Sequence, residues 1–444
     1  MMPNNELPRL KYFSVFGLHD RFNHRIQFKD DHTISIISAP NGYGKTAFMK
    51  LFDATINRKF NILASINYSK IVLEFDNKIT FEITRTVDDE SATPSISMRL
   101  SDDDGIHEFS FDFSYMLSQV FSGHSRRARR PAPYIFQVSE NLWLDERTGE
   151  ELDAGDILAM VSETRDFDPD NEQYRYISEF LDRYDCTLIG AQRTVSIDNV
   201  NRDGPRDRQR IQHGVEERAT RLSKIVQDKL TEFSNLSQRL DSSFPKRTLD
   251  RIGEKNIPPD EDILRGELQA LDERRASFAV LGLIKDTRDQ VIAPQTGFDD
   301  QLRHVLNVYL EDNNRKLDTL DDLRKKISMF LNKINDKFVF KSVSTSEPGE
   351  IIILSEEARP LNLIDLSSGE QHEFILLFDL IFKSSSNTIF LIDEPEISLH
   401  IAWQKVFIRD LRDISEVTNF QSLIATHSPQ IIGDNWDYVN EFSA

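Results

Sequence analysis

The stretch Leu366–His400 reads LSSGEQHEFILLFDLIFKSSSNTIFLIDEPEISLH and decides how the rest of the chain is interpreted. Its first half has the apolar spacing of a helix, and a Ser/Asn turn follows at 384–387. The apolar run Ile389–Ile392 then predicts a buried strand that ends in Asp393 and Glu394. Two adjacent carboxylates are costly to desolvate unless a cation or a reacting water needs them. Ligands of open α/β sheets bind at the carboxyl ends of strands, so this stretch predicts a ligand site there.

A second strand end, near the amino terminus, supplies a phosphate-binding loop. Residues 33–37 predict a strand, and the segment Ala39–Thr46 (APNGYGKT) matches G-x-x-x-x-G-K-[ST] except that Ala39 replaces the first glycine. Backbone N–H groups of such a loop, together with the start of the next helix, favour phosphate oxygens. An ordinary glycine-rich turn is the alternative, but the order of strand, loop, Lys-Thr and helix favours the phosphate loop. The predicted ATP-binding residues of this loop are Asn41, Gly42, Tyr43, Gly44, Lys45 and Thr46.

Four segments together resemble the ABC-type ATPase head of the structural-maintenance-of-chromosomes (SMC), RecF and overcoming-lysogenisation-defect group. They are Ala39–Thr46, Leu366–Gln371, Ile389–Pro395 and Thr426-His427. The resemblance covers both ends of the chain and leaves its middle less constrained. It implies the fold class α/β: an ABC-type P-loop ATPase head, in which a mixed sheet lies beside an antiparallel layer and an α-helical arm or short coiled coil is inserted.

The resemblance also implies roles for individual residues. Glu394 would orient or deprotonate the attacking water, His427 corresponds to the switch histidine, and Gln192 to the less specific glutamine loop. The implied Mg²⁺ ligands are Thr46, Asp393 and Gln192. The expected cofactors are therefore ATP and Mg²⁺, and the expected reaction is hydrolysis of ATP to ADP and phosphate.

The signature segment is implied to act on a second copy of the chain. Its residues Ser367, Ser368, Gly369 and Glu370 are predicted to bind the ATP held by another subunit. One phosphate loop and one signature per chain imply at least a homodimer, with a hexamer as the larger assembly.

Composition narrows the class of protein. A length of 444 residues permits two or three domains, and 39% hydrophobic with 29% charged residues is ordinary for a globular chain. No apolar run is long enough to cross a bilayer, and Met1–Leu10 lacks a signal-peptide core. The single cysteine, Cys186, excludes an intramolecular disulfide and a Cys-based zinc site. We expect a cytoplasmic protein with no membrane partner.

Charge bears on the choice of partner. Lys and Arg number 54 against 74 Asp and Glu, which gives a net charge of −20 and disfavours a wholly basic nucleic-acid binder. The densest basic run, Arg126–Pro131, is either a local nucleic-acid contact or a solvated arginine loop, and the loop is favoured.

The chain divides by pattern into three parts. Residues 1–200 and 338–444 are predicted to form the two halves of the head, including hairpins at 71–83 and 338–354. Residues 201–337 are predicted to form the inserted arm, with two long apolar helical stripes and a break at Phe244-Pro245. An antiparallel coiled coil and a helical lid packed on the head both fit these stripes.

Three function classes are compatible with an ATPase head. The segments LSSGEQHE, IDEPEISLH and ATHSPQII resemble those of the stand-alone ATPases of the Septu and PARIS antiphage systems. That resemblance implies a regulatory ATPase that controls a separate effector nuclease in response to a DNA or phage-encoded trigger. The sequence ends soon after His427, and we expect no nuclease domain there. The alternative is a RecF-like repair ATPase acting directly on DNA, whereas the inserted arm disfavours a transporter subunit.

Overall fold

The structure of the protein is a computed structural model that describes residues 8–28, 33–87, 94–112, 135–139, 142–145, 151–153, 171–190, 195–197, 211–253, 257–285, 297–346, 348–397 and 399–442. The chain divides into two compact units. The first joins residues 1–191 to residues 383–444, and the second comprises residues 192–382.

The described strands and helices follow the chain in this order. The strands are β1 (Leu10–Leu18), β2 (Phe22–Gln27), β3 (Ile34–Ser38), β4 (Lys70–Phe75), β5 (Thr80–Val87), β6 (Pro94–Asp102), β7 (Gly105–Asp112), β8 (Ile135–Ser139), β9 (Leu142–Asp145), β10 (Glu151–Asp153), β11 (Asp185–Ile189), β12 (Val195–Ile197), β13 (Ile211–His213), β14 (Lys341–Ser346), β15 (Glu350–Ser355), β16 (Pro360–Leu361), β17 (Thr388–Asp393), β18 (Gln421–Ala425) and β19 (Val439–Glu441). The helices are α1 (Lys45–Ile56), α2 (Phe60–Ser65), α3 (Glu172–Leu181), α4 (Gly214–Gly253), α5 (Glu261–Ala279), α6 (Asp300–Asn335), α7 (Ser368–Phe382), α8 (Ile401–Gln404), α9 (Phe407–Thr418) and α10 (Pro429–Ile432).

A parallel sheet in the first unit brings the predicted motifs to one edge. Its strand order is β11-β17-β18-β3-β19, and every neighbouring pair is parallel. In this register Asp393 lies opposite Ala425, and Ala425 lies opposite Ile37. The carboxyl ends of β17, β18 and β3 therefore meet at the same edge of the sheet. The strand before Thr426-His427 lies between the phosphate-loop strand and the strand that ends in Asp393.

An antiparallel sheet forms a second layer of the first unit, with strand order β2-β1-β4-β5-β6-β7. Strand β2 alternates between buried and exposed residues, which is the pattern of a sheet with one face on the core. By contrast, the first five residues of β17 are all buried, as expected for a central parallel strand covered on both faces. The hairpin predicted at 71–83 is the β4–β5 pair.

Helix α1 packs within the core that both sheets share. The core of buried side chains includes Phe13 of β1, Phe48 and Phe52 of α1, and Leu391 of β17. The Phe13 and Phe52 rings stack with centroids 4.2 Å apart. Burying each such ring contributes roughly 1.5–3 kcal/mol. The start of α1 is thereby fixed against the parallel sheet, at the edge where the motifs meet.

Long helices dominate the second unit. Helix α4 has 40 residues and is about 60 Å long, and α6 has 36 residues. The pairs Asp241–Lys316 and Arg251–Glu311 show that α4 and α6 run antiparallel. Helix α7 joins this unit through Phe374, whose ring lies 5.1 Å from that of Phe330 on α6. The α/β class, the antiparallel layer and the inserted long helices that the sequence predicted are therefore confirmed.

Two local expectations need correction. Helix α4 continues through Pro245, where the sequence predicted a break. Arg247 supports this turn because it donates to the Leu240 carbonyl at 2.8 Å and pairs with both carboxylate oxygens of buried Asp312. The hairpin predicted at 338–354 is the β14–β15 pair, but its first strand begins only at Lys341 because Phe340 has φ 64°, which is incompatible with extended backbone.

The boundary of the second unit differs from the domain division read from the sequence. The signature segment, grouped with 338–444 by sequence, belongs to the compact unit 192–382. Contacts within this unit explain the difference: Arg218 on α4 pairs with Asp379 on α7 at 3.1 Å, and Lys337 pairs with buried Glu373. Charged groups buried in pairs are costly to separate, so α7 is held to the long helices.

Candidate nucleotide-binding site

The phosphate loop follows β3 and ends at the first turn of α1. Gly42 and Gly44 have φ values of 88° and 78°, in the left-handed region that favours glycine. A Cβ atom on Gly44 would also lie 2.9 Å from Cδ2 of Leu18. Gly44 is the residue that precedes α1, so backbone N–H groups of the loop and of the helix start are available to an anion.

Lys45 is buried at the centre of this site, with 6% of its surface exposed. Its Nζ donates to the Ala39 carbonyl at 2.8 Å and lies 2.5 Å from Nε2 of His427. Burial lowers the pKa of the Lys45 ammonium below its usual value, while the negative charges of Glu394, Asp393 and Glu396, in that order, oppose this effect. The three carboxylates therefore stabilise the charged form of Lys45 beside the position where a phosphate would bind.

The two predicted Mg²⁺ ligands from opposite ends of the chain meet directly. The Thr46 hydroxyl donates to Oδ2 of Asp393 at 2.9 Å. The other carboxylate oxygen of Asp393, Oδ1, is buried and has no hydrogen-bond partner among the residues that the structure describes. An unsatisfied buried oxygen beside a hydroxyl is a donor set that suits a hard cation.

Glu394 follows Asp393 with an unusual backbone conformation. Its φ is 47°, a left-handed value that is costly for a residue with a side chain, and its N–H donates to the Ala425 carbonyl at 2.9 Å. One third of its side chain is exposed, and Oε1 lies 3.9 Å from Nε2 of His427. The strained backbone directs a partly exposed carboxylate towards the space beside Lys45 and His427.

Glu396 is a site residue whose role sequence reasoning missed. Its Oε1 accepts the backbone N–H of His427 at 2.6 Å, and its Oε2 accepts the Thr426 hydroxyl at 2.8 Å. Both carboxylate oxygens therefore hold the strand end that carries His427. The second glutamate of the IDEPE spelling was visible in the sequence, but the 3-10 turn Pro395–Ile397 was needed to direct it back to β18.

The signature segment lies in the second unit and forms the start of α7. Ser367 and Glu370 make a reciprocal capping arrangement, in which Oε2 of Glu370 accepts both the backbone N–H and the hydroxyl of Ser367 at 2.8 Å. Lys341 donates to both oxygens of Glu370 at 2.7 Å. Burial raises the pKa of the Glu370 carboxyl, but hydrogen bonds from Lys341 and Ser367 outweigh it, so the net pKa is below the usual value. Ser367 and Ser368 remain exposed.

The structure brings Asn41–Thr46, Asp393, Glu394 and His427 together in the first unit. The signature residues Ser367–Glu370 belong to the second unit and are not part of that cluster. Gln192 and the basic run at 126–131 lie outside the described residues, so their predicted roles stay predictions. No group of three or more His, Cys, Asp or Glu side chains in the described part of the chain could hold a metal ion by itself. Among the same residues, no helix has the length and apolar character needed to span a membrane.

The strand order and the convergent site define an α/β P-loop ATPase head. Residues 282–432 match the family described as AAA ATPase domain, a match that includes the signature, Asp393, Glu394 and His427 but not the phosphate loop. The family match therefore supports an ATPase of this general type through the carboxy-terminal part of the chain. The interpretation of the amino-terminal loop as a phosphate loop is supported by the geometry of Lys45 and Thr46.

Similar proteins were found in two further comparisons. Protein ea59 of Escherichia phage lambda is 33% identical over 70 residues, which cover 16% of this chain and only 13% of that protein. The SMC head domain of Pyrococcus furiosus with an extended coiled coil, bound to the C-terminal domain of ScpA, aligns with 98% of this chain and 96% of its own, at 12% identity and a TM-score of 0.37. The SMC head domain of Thermotoga maritima aligns with 98% and 94% at 12% identity and a TM-score of 0.33. Scores this low carry no argument about function.

Proposed function

We propose that this protein binds and hydrolyses Mg²⁺-ATP and uses the nucleotide to control its assembly. The observation that carries the proposal is the hydrogen bond of 2.9 Å between the Thr46 hydroxyl and Asp393, residues that are 347 positions apart in sequence. It joins the phosphate loop to the strand that ends in two carboxylates. Phosphoryl transfer needs this combination of positioning and charge neutralisation more than covalent chemistry by the protein.

The residues of the loop act on the triphosphate. Backbone N–H groups near Gly42 and Gly44 bind phosphate oxygens, and Lys45 neutralises charge on the β- and γ-phosphates. The cation is already buried and oriented by the Ala39 carbonyl, so little reorganisation is needed when phosphate binds.

Thr46 and Asp393 would hold Mg²⁺, which supplies further charge neutralisation at the phosphate oxygens when bound. The buried, unpartnered Oδ1 of Asp393 and the oxygen chemistry of both side chains fit this ion. Mg²⁺ usually keeps several waters and uses one or two protein carboxylates together with phosphate oxygens.

Glu394 acts on the attacking water. Its carboxylate accepts a proton as the water oxygen bonds to the γ-phosphorus, and the bond from that phosphorus to the oxygen bridging the β- and γ-phosphates breaks, which leaves ADP and inorganic phosphate. His427, held through its backbone by Glu396, contacts Lys45 and lies beside Glu394, so it can respond to the state of the γ-phosphate.

Assembly is proposed to depend on the signature segment. Ser367 and Ser368 are exposed at the start of α7, where the helix dipole favours an anion. Glu370 is occupied by Lys341 and by the backbone N–H and hydroxyl of Ser367, so it shapes the segment, while Ser368 stays exposed to a ligand. We assign these residues to the ATP of a second copy, which makes the active form at least a homodimer, with a hexamer as a larger possibility for the same contacts.

The biological role is proposed from the amino-acid sequences of the motifs. Segments 366–373, 392–400 and 425–432 resemble stand-alone antiphage ATPases, which favours a cytoplasmic regulatory subunit that controls a separate effector nuclease after a phage-encoded or DNA trigger. The net charge of −20 favours this role over direct action on DNA, because phosphate contacts need local positive charge. A RecF-like repair ATPase that binds DNA itself is the second candidate.

Two experiments test these proposals. Phosphate release by the purified chain with Mg²⁺-ATP, compared with Lys45→Ala, tests the ATPase; loss of binding and turnover in the variant is expected because the triphosphate loses its buried cation. Equal turnover by both proteins would contradict the assignment of the site. Co-purification with the product of the neighbouring gene, followed by a nuclease assay, tests the role, and robust metal-dependent cleavage by this chain alone would contradict a separate effector.

A further inference from the structure

His24 is a buried histidine that the proposed mechanism does not use. It lies on β2, has 2% of its surface exposed, and its ring stacks on Phe442 with centroids 3.8 Å apart and an interplanar angle of 7°. Phe22 also stacks on it with centroids 5.4 Å apart, and Phe48 of α1 meets it edge-on at 6.1 Å. A polar ring in such an aromatic enclosure is costly unless one of its nitrogen atoms has a specific partner.

The partner is the phosphate loop. Nε2 of His24 lies 2.9 Å from the carbonyl oxygen of Tyr43. Because a carbonyl can only accept, the proton of the neutral ring is on Nε2, and Nδ1 is the unprotonated nitrogen. Nδ1 is buried and has no hydrogen-bond partner among the described residues, so the enclosure suits the neutral ring and the Nε2–H tautomer.

This hydrogen bond also fixes the direction of the N–H group in the same peptide. The Tyr43 carbonyl and the Gly44 N–H belong to one planar trans peptide, in which the two groups point in opposite directions. Holding the carbonyl towards the core therefore directs the Gly44 N–H away from it. Gly44 has φ 78° and no side chain, so without a restraint this peptide could rotate to other orientations.

We propose that His24 is a positioning residue that locks the Tyr43–Gly44 peptide with its N–H directed to the bound phosphate. The inference rests on the proposed ATP-binding function of the loop and adds the residue that fixes one of its donors. His24 acts through the Tyr43 carbonyl and does not contact the ligand. The stack on Phe442 also ties this lock to the segment that follows β19, so residues 22–24, 43–44 and 442 form one unit of structure.

A matched pair of variants isolates the donor. In His24→Gln the amide nitrogen reaches the position of Nε2 and can donate to the Tyr43 carbonyl, whereas His24→Met has a similar length and no donor. His24→Phe is a second variant without the donor, and it preserves the aromatic stack if the methionine variant fails to fold. Thermal unfolding without nucleotide measures packing losses separately from binding.

Binding of ATP and of inorganic tripolyphosphate is then measured for all four proteins. We expect His24→Met and His24→Phe to bind both ligands about tenfold or more weakly than the parent, since the Gly44 N–H is no longer held towards the charged phosphate. We expect His24→Gln to bind within about threefold. The defect should be the same for tripolyphosphate as for ATP because Gly44 N–H faces phosphate and not the base.

The outcomes separate the two proposals. If the parent binds neither ligand, the proposed ATP site is wrong. If the parent binds but His24→Met and His24→Phe bind equally well, the proposed function stands and the lock is wrong. A defect seen with ATP and not with tripolyphosphate, or one that His24→Gln shares in full, would also overturn the lock.

Discussion

The ammonium of Lys45 lies 2.5 Å from Nε2 of His427, a contact between the phosphate loop and the end of β18. Because an ammonium can only donate, Nε2 of His427 accepts and the proton of its neutral ring is on Nδ1. Phosphate oxygens compete for the hydrogens of the same ammonium. We therefore expect a nucleotide bound as proposed to weaken the contact and to make the position of His427 sensitive to whether the loop is filled.

Glu396 holds His427 in reach of Lys45, so its replacement should impair turnover more than binding. In Glu396→Gln the amide oxygen can accept from either Thr426 or His427, while its NH₂ group meets a donor. We expect phosphate release to fall about tenfold and ATP affinity to change by less than about threefold. Glu416→Gln, which removes an exposed carboxylate on α9, is the control. Equal turnover in the two variants would contradict a positioning role for Glu396.

Replacing the carboxylate of Glu394 should separate binding from chemistry. Glu394→Gln keeps the shape and the backbone of the residue but cannot accept the proton of the attacking water. Turnover should fall by about 10² to 10⁴ while ATP remains bound, and the ATP-bound assembly should accumulate in size-exclusion chromatography. Hydrolysis at the rate of the parent would show that another group is the base.

Mixing two inactive variants tests whether the signature serves a second copy. Ser367→Arg places a bulky charge at the exposed start of α7 and should leave ATP binding by the loop of the same chain intact. Lys45→Ala has the opposite defect. Their mixture should recover part of the phosphate release because some composite sites contain an intact loop and an intact signature. If the two variants associate but their mixture recovers no phosphate release, each site is completed within one chain.

Acidification should destabilise the protein through His24. Burial lowers the pKa of His24 below its ordinary value of 6.5, and the hydrogen bond to Tyr43 opposes this only in part. Below about pH 6.5 the unfolded chain binds a proton at His24 that the folded chain does not. The free energy of unfolding therefore decreases as the pH decreases, until the lower pKa of the folded chain is reached. Above that window the group contributes no pH dependence.

Denaturant unfolding of the parent and of His24→Gln between about pH 8 and pH 5 measures this effect. All other groups titrate in both proteins, so the difference between their unfolding free energies isolates His24. The stability of the parent should decline relative to the variant as the pH falls. Parallel pH profiles would mean that His24 titrates alike in the folded and unfolded chains.

Sequence alone went furthest where local pattern and chemistry agree. The run Ile389–Ile392, the loop Ala39–Thr46 and the long apolar stripes each predicted an element that the structure contains, because burial on both faces, a glycine-rich turn and helical spacing are short-range properties. The break predicted at Pro245 failed for the opposite reason. The pairing of Arg247 with Asp312, 65 residues away, supports the helix where local propensity opposes it.

The sequence by itself determined which residues are proposed to carry the chemistry: the loop with Lys45 and Thr46, and the carboxylates Asp393 and Glu394. Only the tertiary structure decided which side chains support them. No motif revealed the roles of Glu396 beneath His427 and of His24 behind Tyr43, because these roles consist of hydrogen bonds between segments distant in sequence. Such bonds depend on register and burial, which are fixed when β2, β3, β17 and β18 pack together around α1.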